Sequence, residues 1–284
     1  MFELLFACTD HLVSGEKFEI AACSECGLRI TLDVPDSKQI GRYYESDDYI
    51  SHSNTQKGFI NRLYHLSRSI MLKKKAAHVT RHSGMKRGKL LDVGAGTGFF
   101  AAEMKGKLWH VSAVELNEAA REFAEQKFGI KAYTELKDVP ESENNSFNAI
   151  TLWHVFEHIE DLDFTMQKTH KLLCHDGVLV LALPNFQSYD AQKYGKNWAA
   201  YDVPRHLWHF SQKQVELLAK KYNFKVSGVA KMPLDAFYIS MLSEKNMGTK
   251  LHFLRGAFIG LKAHIHSLFS KNRSSSQIYF LKKR

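Results

Sequence analysis

Three glycines and one acidic residue form the most chemically informative group in this chain. The stretch Lys89–Val93 is mainly apolar, is predicted to be a buried strand, and runs into Gly94-x-Gly96-x-Gly98. Glycine makes tight turns at no steric cost, and backbone N–H groups at the start of the following helix favour an electron-rich ligand atom. Glu115 ends the next predicted strand, 17 residues beyond Gly98. A carboxylate there can accept both hydroxyls of a ribose, so the spacing predicts a nucleoside site.

The glycine spacing also separates two classes of nucleotide-binding protein. A dinucleotide loop has the pattern G-x-G-x-x-G, which would require a glycine where this chain has Phe99. The pattern here is G-x-G-x-G instead. An NAD-dependent dehydrogenase is therefore a rival interpretation that Phe99 argues against.

A second polar group follows Phe147–Trp153, a stretch without any charged residue. It reads Trp153-His154-Val155-Phe156-Glu157-His158, at the carboxyl end of a predicted strand, where ligands bind in open parallel sheets. Histidine titrates near neutrality, so His154 could take a proton from an acceptor hydroxyl. Glu157 and His158 could instead cap the next helix, orient His154 or join it on a divalent metal. We assign no metal ligand.

Strands that alternate with helices must position these residues. Strands are predicted at Lys89–Val93, 110–115, 130–134, Phe147–Trp153, 177–183, 225–230 and 277–281. Helices are predicted at 55–82, 99–105, 117–128, 162–173 and 212–222, with a helical stretch over 234–269. This alternation predicts an α/β fold with a doubly wound, seven-stranded, mostly parallel sheet. Residues 1–54 are predicted to be an N-terminal lead, and 55–284 the main domain, with insertions near the acceptor at about 185–210 and 234–270.

From 89 to 183 the chain resembles the core of class I S-adenosylmethionine-dependent methyltransferases, whose glycine motif, ribose-binding acid and fourth-strand motif occur here in order. The W-H-x-x-E-H segment resembles small-molecule methyltransferases, including relatives of the quinone O-methylating enzymes with a cysteine-rich N-terminal lead. The resemblance implies S-adenosylmethionine as cofactor, with the glycine loop on its methionine part, Glu115 on its ribose and Leu116 on its adenine. The cofactor contacts implied are Asp92, Gly94, Ala95, Gly96, Gly98, Glu115, Leu116, Trp153 and His154.

The expected reaction is methyl transfer to a small-molecule acceptor, at a hydroxyl oxygen, with His154 or His206 as the catalytic base. The segment 204–211 resembles a region that lies over the active site of the same group of enzymes. Its aromatic residues could enclose the acceptor, with Arg205 and His206 as polar contacts, or they could simply pack a long loop. The rival from another class is a cofactor-binding but catalytically silent scaffold.

Composition narrows the remaining functions. The formal charge is +9, but the basic residues are dispersed and form no recognisable nucleic-acid-binding module, so a solvated basic surface is favoured over nucleic-acid binding. No run of 18 apolar residues occurs, and four cysteines in 284 residues do not make a disulfide framework. These features predict a cytoplasmic protein.

Two terminal segments leave alternatives open. Cys23-x-x-Cys26 could close on zinc, although a zinc site normally needs four ligands, and Cys8 and His11 have poor spacing for the remainder. The apolar residues between 251 and 269 alternate with Lys, Arg and His. They could pack on the core, cover an apolar acceptor or contact a membrane surface or lipid-like substrate.

Overall fold

The computed structural model describes residues 1–36, 38–44 and 59–284, which fold around two β-sheets. The strands are β1 (Phe2–Thr9), β2 (Lys17–Cys23), β3 (Arg29–Thr31), β4 (Lys89–Val93), β5 (His110–Val114), β6 (Ala132–Tyr133), β7 (Phe147–Trp153), β8 (Leu173–Pro184), β9 (Trp208–His209), β10 (Phe224–Lys231) and β11 (Ser276–Lys283). The helices are α1 (Phe59–Ser83), α2 (Phe99–Gly106), α3 (Glu118–Phe128), α4 (Leu162–Leu172), α5 (Tyr189–Tyr194), α6 (Gln212–Lys221), α7 (Asp235–Asn246) and α8 (His252–Phe269). Residues 55–58 of the first predicted helix lie outside the described residues.

The larger sheet has seven strands in the order β10-β11-β8-β7-β4-β5-β6. Strands β4 to β8 pair in parallel, and β11 runs antiparallel to both β8 and β10. The predicted doubly wound, mostly parallel seven-stranded sheet is confirmed.

Helices cover both faces of this sheet, which explains why its central strands are mainly apolar. Leu90 and Leu91 are adjacent in β4 and both are fully buried, but they belong to different core clusters. Leu90 packs with side chains of α1 and α2, and Leu91 with side chains of α4 and α6. Because successive strand residues point to opposite faces, a strand covered on both sides is apolar at most of its positions.

The main differences from the predicted elements are three. The third strand is only Ala132–Tyr133, and the fifth begins at Leu173, directly after α4. The helical stretch 234–269 is two helices, α7 and α8, separated by a turn at Gly248 with φ of 70°. Glycine adopts this left-handed conformation without steric cost, and it lets the two helices fold back on each other.

The smaller sheet was not predicted. It has the order β1-β2-β3-β9, with every pair antiparallel. Its last strand, β9, comes from the insertion that follows β8, so the N-terminal lead and this insertion share one sheet and one apolar cluster.

Candidate functional site

The carboxyl ends of β4, β5 and β7 meet at one edge of the large sheet, and the predicted site residues follow directly. The glycine loop leaves β4, Glu115 leaves β5 and His154 leaves β7. The N–H groups of Gly94 and Ala95 both donate to the oxygen of Val114, at 2.8 and 3.0 Å. The N–H of His154 donates to Ala182 of β8 at 3.1 Å. The sheet itself therefore holds these residues in place.

Glycine is needed at the three positions of the loop for different structural reasons. All three have positive φ, but a Cβ on Gly94 would lie 2.3 Å from a methyl of Val155, and one on Gly98 would lie 2.8 Å from the Cβ of Ala124. Gly96 has φ of 52°, and a Cβ there would meet no atom within 4 Å. Packing therefore requires Gly94 and Gly98, whereas Gly96 leaves open space at the tip of the loop where a ligand can approach the backbone.

Glu115 lies against this open position. Its carboxylate accepts hydrogen bonds from the N–H of Gly96 at 2.7 Å and of Asn117 at 2.9 Å. Arg121 donates to the backbone oxygens of Glu115 and Leu116, which fixes the end of β5. The Leu116 side chain is 73% exposed, so its apolar face is available to a flat ring system.

Asp92 lies beneath the loop rather than in it. Its side chain is 1% exposed and accepts a 2.6 Å hydrogen bond from the hydroxyl of Thr151. Burial raises the pKa of Asp92 to about 7, although Thr151 and the nearby ammonium of Lys75 favour the charged form. Asp92 can therefore change its protonation state near neutral pH when a charged ligand arrives.

Lys75 of α1 is a site residue that the sequence analysis missed. Its ammonium lies 4.6 Å from the centre of the Trp153 ring. Burial lowers the pKa of Lys75, partly opposed by the carboxylates of Asp92 and Asp235. Helical spacing could have identified Lys75 as a residue that faces the protein, because position 75 lies on the same helix face as Leu72, Ala76 and Val79, which pack on the core.

His154 lies between two carboxylates. It adopts φ of 58°, which residues with a side chain rarely do. Its Nδ1 is 3.3 Å from Glu157, and its Nε2 is 3.2 Å from Asp235, the first residue of α7. Burial lowers the pKa of His154, but the hydrogen bonds to Asp235 and Glu157 outweigh it and raise the pKa to about 9. In this arrangement His154 is an imidazolium with both N–H groups engaged, and it has no lone pair to accept a proton.

Behind His154, Glu157, His158 and His206 bring their ligand atoms within 4.8 Å of one another, the only such group among the described residues. The Nδ1 atoms of the two histidines donate to the backbone oxygens of Arg205 and Ala200, at 3.0 and 2.9 Å. Burial and the charge of His206 lower the pKa of His158 to about 4. Glu157 is 1% exposed, and its Oε2 has no hydrogen-bond partner. Two imidazoles and a carboxylate are a set that could hold a divalent transition metal.

The insertion after β8 is packed rather than open. Four of its aromatic residues are buried in the apolar cluster of the small sheet: Phe186, Tyr194, Trp198 and Tyr201. Arg205 is also buried, with its guanidinium on Asp10 and Asp202. The packing alternative describes these four side chains.

The cysteines show no zinc site among the described residues, where Cys23 and Cys26 join no group of three potential ligands. Cys8 is buried, and its thiol donates to the backbone oxygen of Lys196 at 3.3 Å.

Several solved structures share the fold. A putative sarcosine dimethylglycine methyltransferase from Galdieria sulphuraria matches with a TM-score of 0.52 and 17% identity, covering 78% of this chain and 87% of that one. A 1,6-didemethyltoxoflavin-N1-methyltransferase from Burkholderia thailandensis, with 1,6-didemethyltoxoflavin and S-adenosylhomocysteine bound, matches with a TM-score of 0.52 and 15% identity, covering 92% of this chain and 97% of that one. A geranyl diphosphate C-methyltransferase from Streptomyces coelicolor matches with a TM-score of 0.51 and 13% identity, covering 75% of this chain and 76% of that one. At these identities the likeness shows the fold alone.

Sequence comparisons identify the family to which the chain belongs. No curated protein sequence gives a significant match. The family described as "Methyltransferase domain" matches residues 67–228, which include Lys75, the glycine loop, Glu115, His154 and His206. Because this match covers more than half of the chain, the protein belongs to the methyltransferase-domain family.

Proposed function

We propose that this protein transfers a methyl group from S-adenosylmethionine to a small-molecule acceptor, at a hydroxyl oxygen. The observation that carries the proposal is the pair of Gly96 and Glu115. An open, left-handed glycine at the loop tip donates its N–H at 2.7 Å to a carboxylate at the end of the neighbouring strand. This arrangement suits a nucleoside whose sugar meets the carboxylate and whose remainder lies along the loop.

The residues at the sheet edge fit this cofactor. The backbone of Gly94, Ala95, Gly96 and Gly98 would hold its methionine part, Glu115 would accept from its ribose hydroxyls and Leu116 would pack on its adenine. Bound there, S-adenosylmethionine supplies an electrophilic methyl group on a sulfonium. Trp153 and His154 flank the same position.

Charges beneath the loop match a zwitterionic amino acid. The Lys75 ammonium stands over Trp153, close to Asp92 and Asp235. We propose that Lys75 attracts the carboxylate of the cofactor's methionine part, while Asp92 faces its positive charge. A partly buried cation and anion in one pocket are worth more than the same charges at the surface, because less water screens them.

Proton removal is assigned to His154 assisted by Glu157. While Nε2 is bonded to Asp235, His154 cannot act as a base. When Asp235 leaves Nε2, the loss of one carboxylate lowers the pKa of His154 towards neutrality, and the ring releases its Nε2 proton to water. The neutral imidazole, still oriented by Glu157 through Nδ1, then accepts the proton of the acceptor hydroxyl as the hydroxyl oxygen takes the methyl group and S-adenosylhomocysteine leaves. His206, the other candidate base, is only 8% exposed and already donates to Ala200, so we place it second.

The test combines calorimetry with label transfer. S-adenosylmethionine and S-adenosylhomocysteine should both bind the purified protein, and methyl-labelled cofactor should pass its label to a component of a metabolite extract. Glu115→Ala should weaken cofactor binding by about 100-fold or more, because two charge-assisted hydrogen bonds are lost. Glu118→Ala, an exposed acid three positions along, is the matched control.

The outcomes separate the candidate functions. Binding followed by label transfer supports the enzyme. Binding without transfer to any extract supports a catalytically silent scaffold, and tight NADH binding supports a dehydrogenase. Absence of heat with either sulfur nucleoside would reject the proposal altogether.

A further inference from the structure

Helices α7 and α8 form a hairpin that packs through small residues. The buried positions of α8 are Gly256, Gly260, Ala263 and Ser267. A Cβ on Gly256 would lie 2.5 Å from the Cα of Met241, and one on Gly260 would lie 2.7 Å from the Cα of Phe237. The two backbones are therefore in direct contact, and the interface has no room for large side chains.

The large apolar residues of α8 consequently face away from the protein. Leu254, Phe258, Leu261, Ile265 and Leu268 follow one another at steps of four and three, so they form a single stripe opposite the buried face. They are 64, 57, 46, 44 and 62% exposed, respectively. The two ends of the helix extend the apolar surface, since Phe253 is 65% exposed and Phe269 is 89% exposed. A contiguous apolar surface of this kind marks an interaction site.

The exposed charges on α8 and in the turn before it are all positive. From position 245 to 273 the sequence contains six Lys or Arg and no Asp or Glu. Arg255 and Lys262 each follow a stripe residue directly, so they lie along one side of it, and Lys250 is exposed in the turn before α8. Apolar residues flanked by cations are what a helix needs to lie in the interface of an anionic bilayer.

We propose that the α7–α8 hairpin docks on an anionic lipid bilayer, with α8 lying in the plane of the surface. Among the described residues no helix is long and apolar enough to cross a membrane, which agrees with a helix that lies on it. A second copy of the chain is a poorer partner, because two such stripes would bring Arg255 and Lys262 of each copy together, and the buried Glu244, 3.5 Å from Arg255, could offset only that one cation.

Docking of this kind would place the candidate site beside the lipid. Helix α7 begins at Asp235, whose carboxylate is 3.2 Å from Nε2 of His154. The proposal does not rest on the methyl-transfer reaction, because binding to a bilayer can be measured without any cofactor.

The test is co-sedimentation of the full chain with vesicles of phosphatidylcholine alone and of phosphatidylcholine mixed with anionic phosphatidylglycerol. Wild type should bind the anionic vesicles at least about tenfold more tightly, and salt should weaken the binding. Phe258→Glu with Leu261→Glu should abolish it. Leu217→Glu is the matched control, since Leu217 is an exposed leucine on helix α6.

A charge-reducing pair tests the cations separately. Lys250→Gln with Lys262→Gln should weaken binding to anionic vesicles by about tenfold or more, whereas the exposed pair Lys131→Gln and Lys137→Gln should not. Arg255 is left intact because it also lies 3.5 Å from Glu244. Unchanged circular dichroism and melting temperature show that each variant is folded. The proposal fails if both vesicle types bind equally or not at all, or if light scattering shows a dimer that Phe258→Glu dissociates.

Discussion

Arg205 donates a 2.8 Å hydrogen bond to Asp10, and the two side chains are 1% and 0% exposed. The residues are separated by 195 positions in the sequence. Asp10 follows β1 of the small sheet, whereas Arg205 belongs to the insertion after β8. The same guanidinium donates to Asp202 at 2.7 Å and to the backbone oxygen of Tyr43 at 2.9 Å. This buried pair therefore joins the N-terminal sheet to the segment that carries His206.

We expect Arg205→Met to destabilise the fold by about 3–5 kcal/mol, because the Asp10 carboxylate would stay buried without its cation. Equilibrium unfolding in urea measures the loss. Arg42→Met is the matched control, since Arg42 pairs with Glu16 at the surface, and its unfolding midpoint should remain close to wild type. Equal losses in the two variants would contradict the importance of burial for the Arg205 pair.

The parallel sheet was predictable because its strands are buried on both faces. Lys89–Val93 and Phe147–Trp153 have the bounds that the sequence predicts, since glycine or a polar residue stands at both ends of each mainly apolar run. The small sheet could not be found in this way. Its β3 has three residues and its β9 only two, and the paired residues Arg29 and His209 are 180 positions apart in the sequence. Neither strand is long enough to show a two-residue period.

The candidate site was predictable where it lies on the backbone of a motif, and was missed where side chains arrive from elsewhere. The glycine loop and Glu115 are local to two successive strands. Lys75 and Asp235 come from helices that flank the core on either side in the sequence, and only the fold brings them near Trp153 and His154. The spacing of residues within one segment cannot predict contacts between side chains from distant segments.

The pKa of His154 makes a prediction for stability against pH. Its folded pKa of about 9 exceeds the ordinary value of 6.5, so the stabilisation by Asp235 and Glu157 is complete below pH 6.5 and is lost as pH rises through 9. We expect the difference in melting temperature between wild type and His154→Gln to shrink between neutral pH and about pH 10. The control is His175→Gln at an exposed position, which should show no such trend. A difference that is constant with pH would mean that His154 is neutral in the fold.

From the raised pKa of Asp92 we predict that cofactor binding releases a proton. Its pKa of about 7 leaves it mostly protonated at pH 6, and a sulfonium close by would favour the carboxylate. S-adenosylmethionine should therefore release up to about one proton at that pH, and S-adenosylhomocysteine, with a neutral sulfur, fewer. Calorimetry in two buffers of different ionisation enthalpy measures the number. Asp92→Asn should remove the release, whereas Thr151→Val, which deletes the hydroxyl that favours the charged form, should shift it to higher pH.

Two glycines of the loop should fail for different reasons when replaced by alanine. Gly94→Ala combines a left-handed φ with a Cβ only 2.3 Å from Val155, so it should cost about 2–4 kcal/mol of unfolding free energy. Gly96→Ala meets no atom within 4 Å, so it should cost only about 1–2 kcal/mol through its φ. Its added methyl group would instead occupy the open space beside Glu115, and cofactor binding should fall by at least about tenfold.

A double variant separates the clash from the strain. Val155→Ala removes both methyl groups that a Cβ on Gly94 would meet closest, so Gly94→Ala with Val155→Ala should be less destabilised than the sum of the two single variants. Urea unfolding gives the three stabilities, and calorimetry gives cofactor affinity for each folded variant. If Gly96→Ala bound the cofactor as wild type does, the ligand would not approach the loop at this residue, and the assignment of Glu115 to the ribose would lose its geometric support.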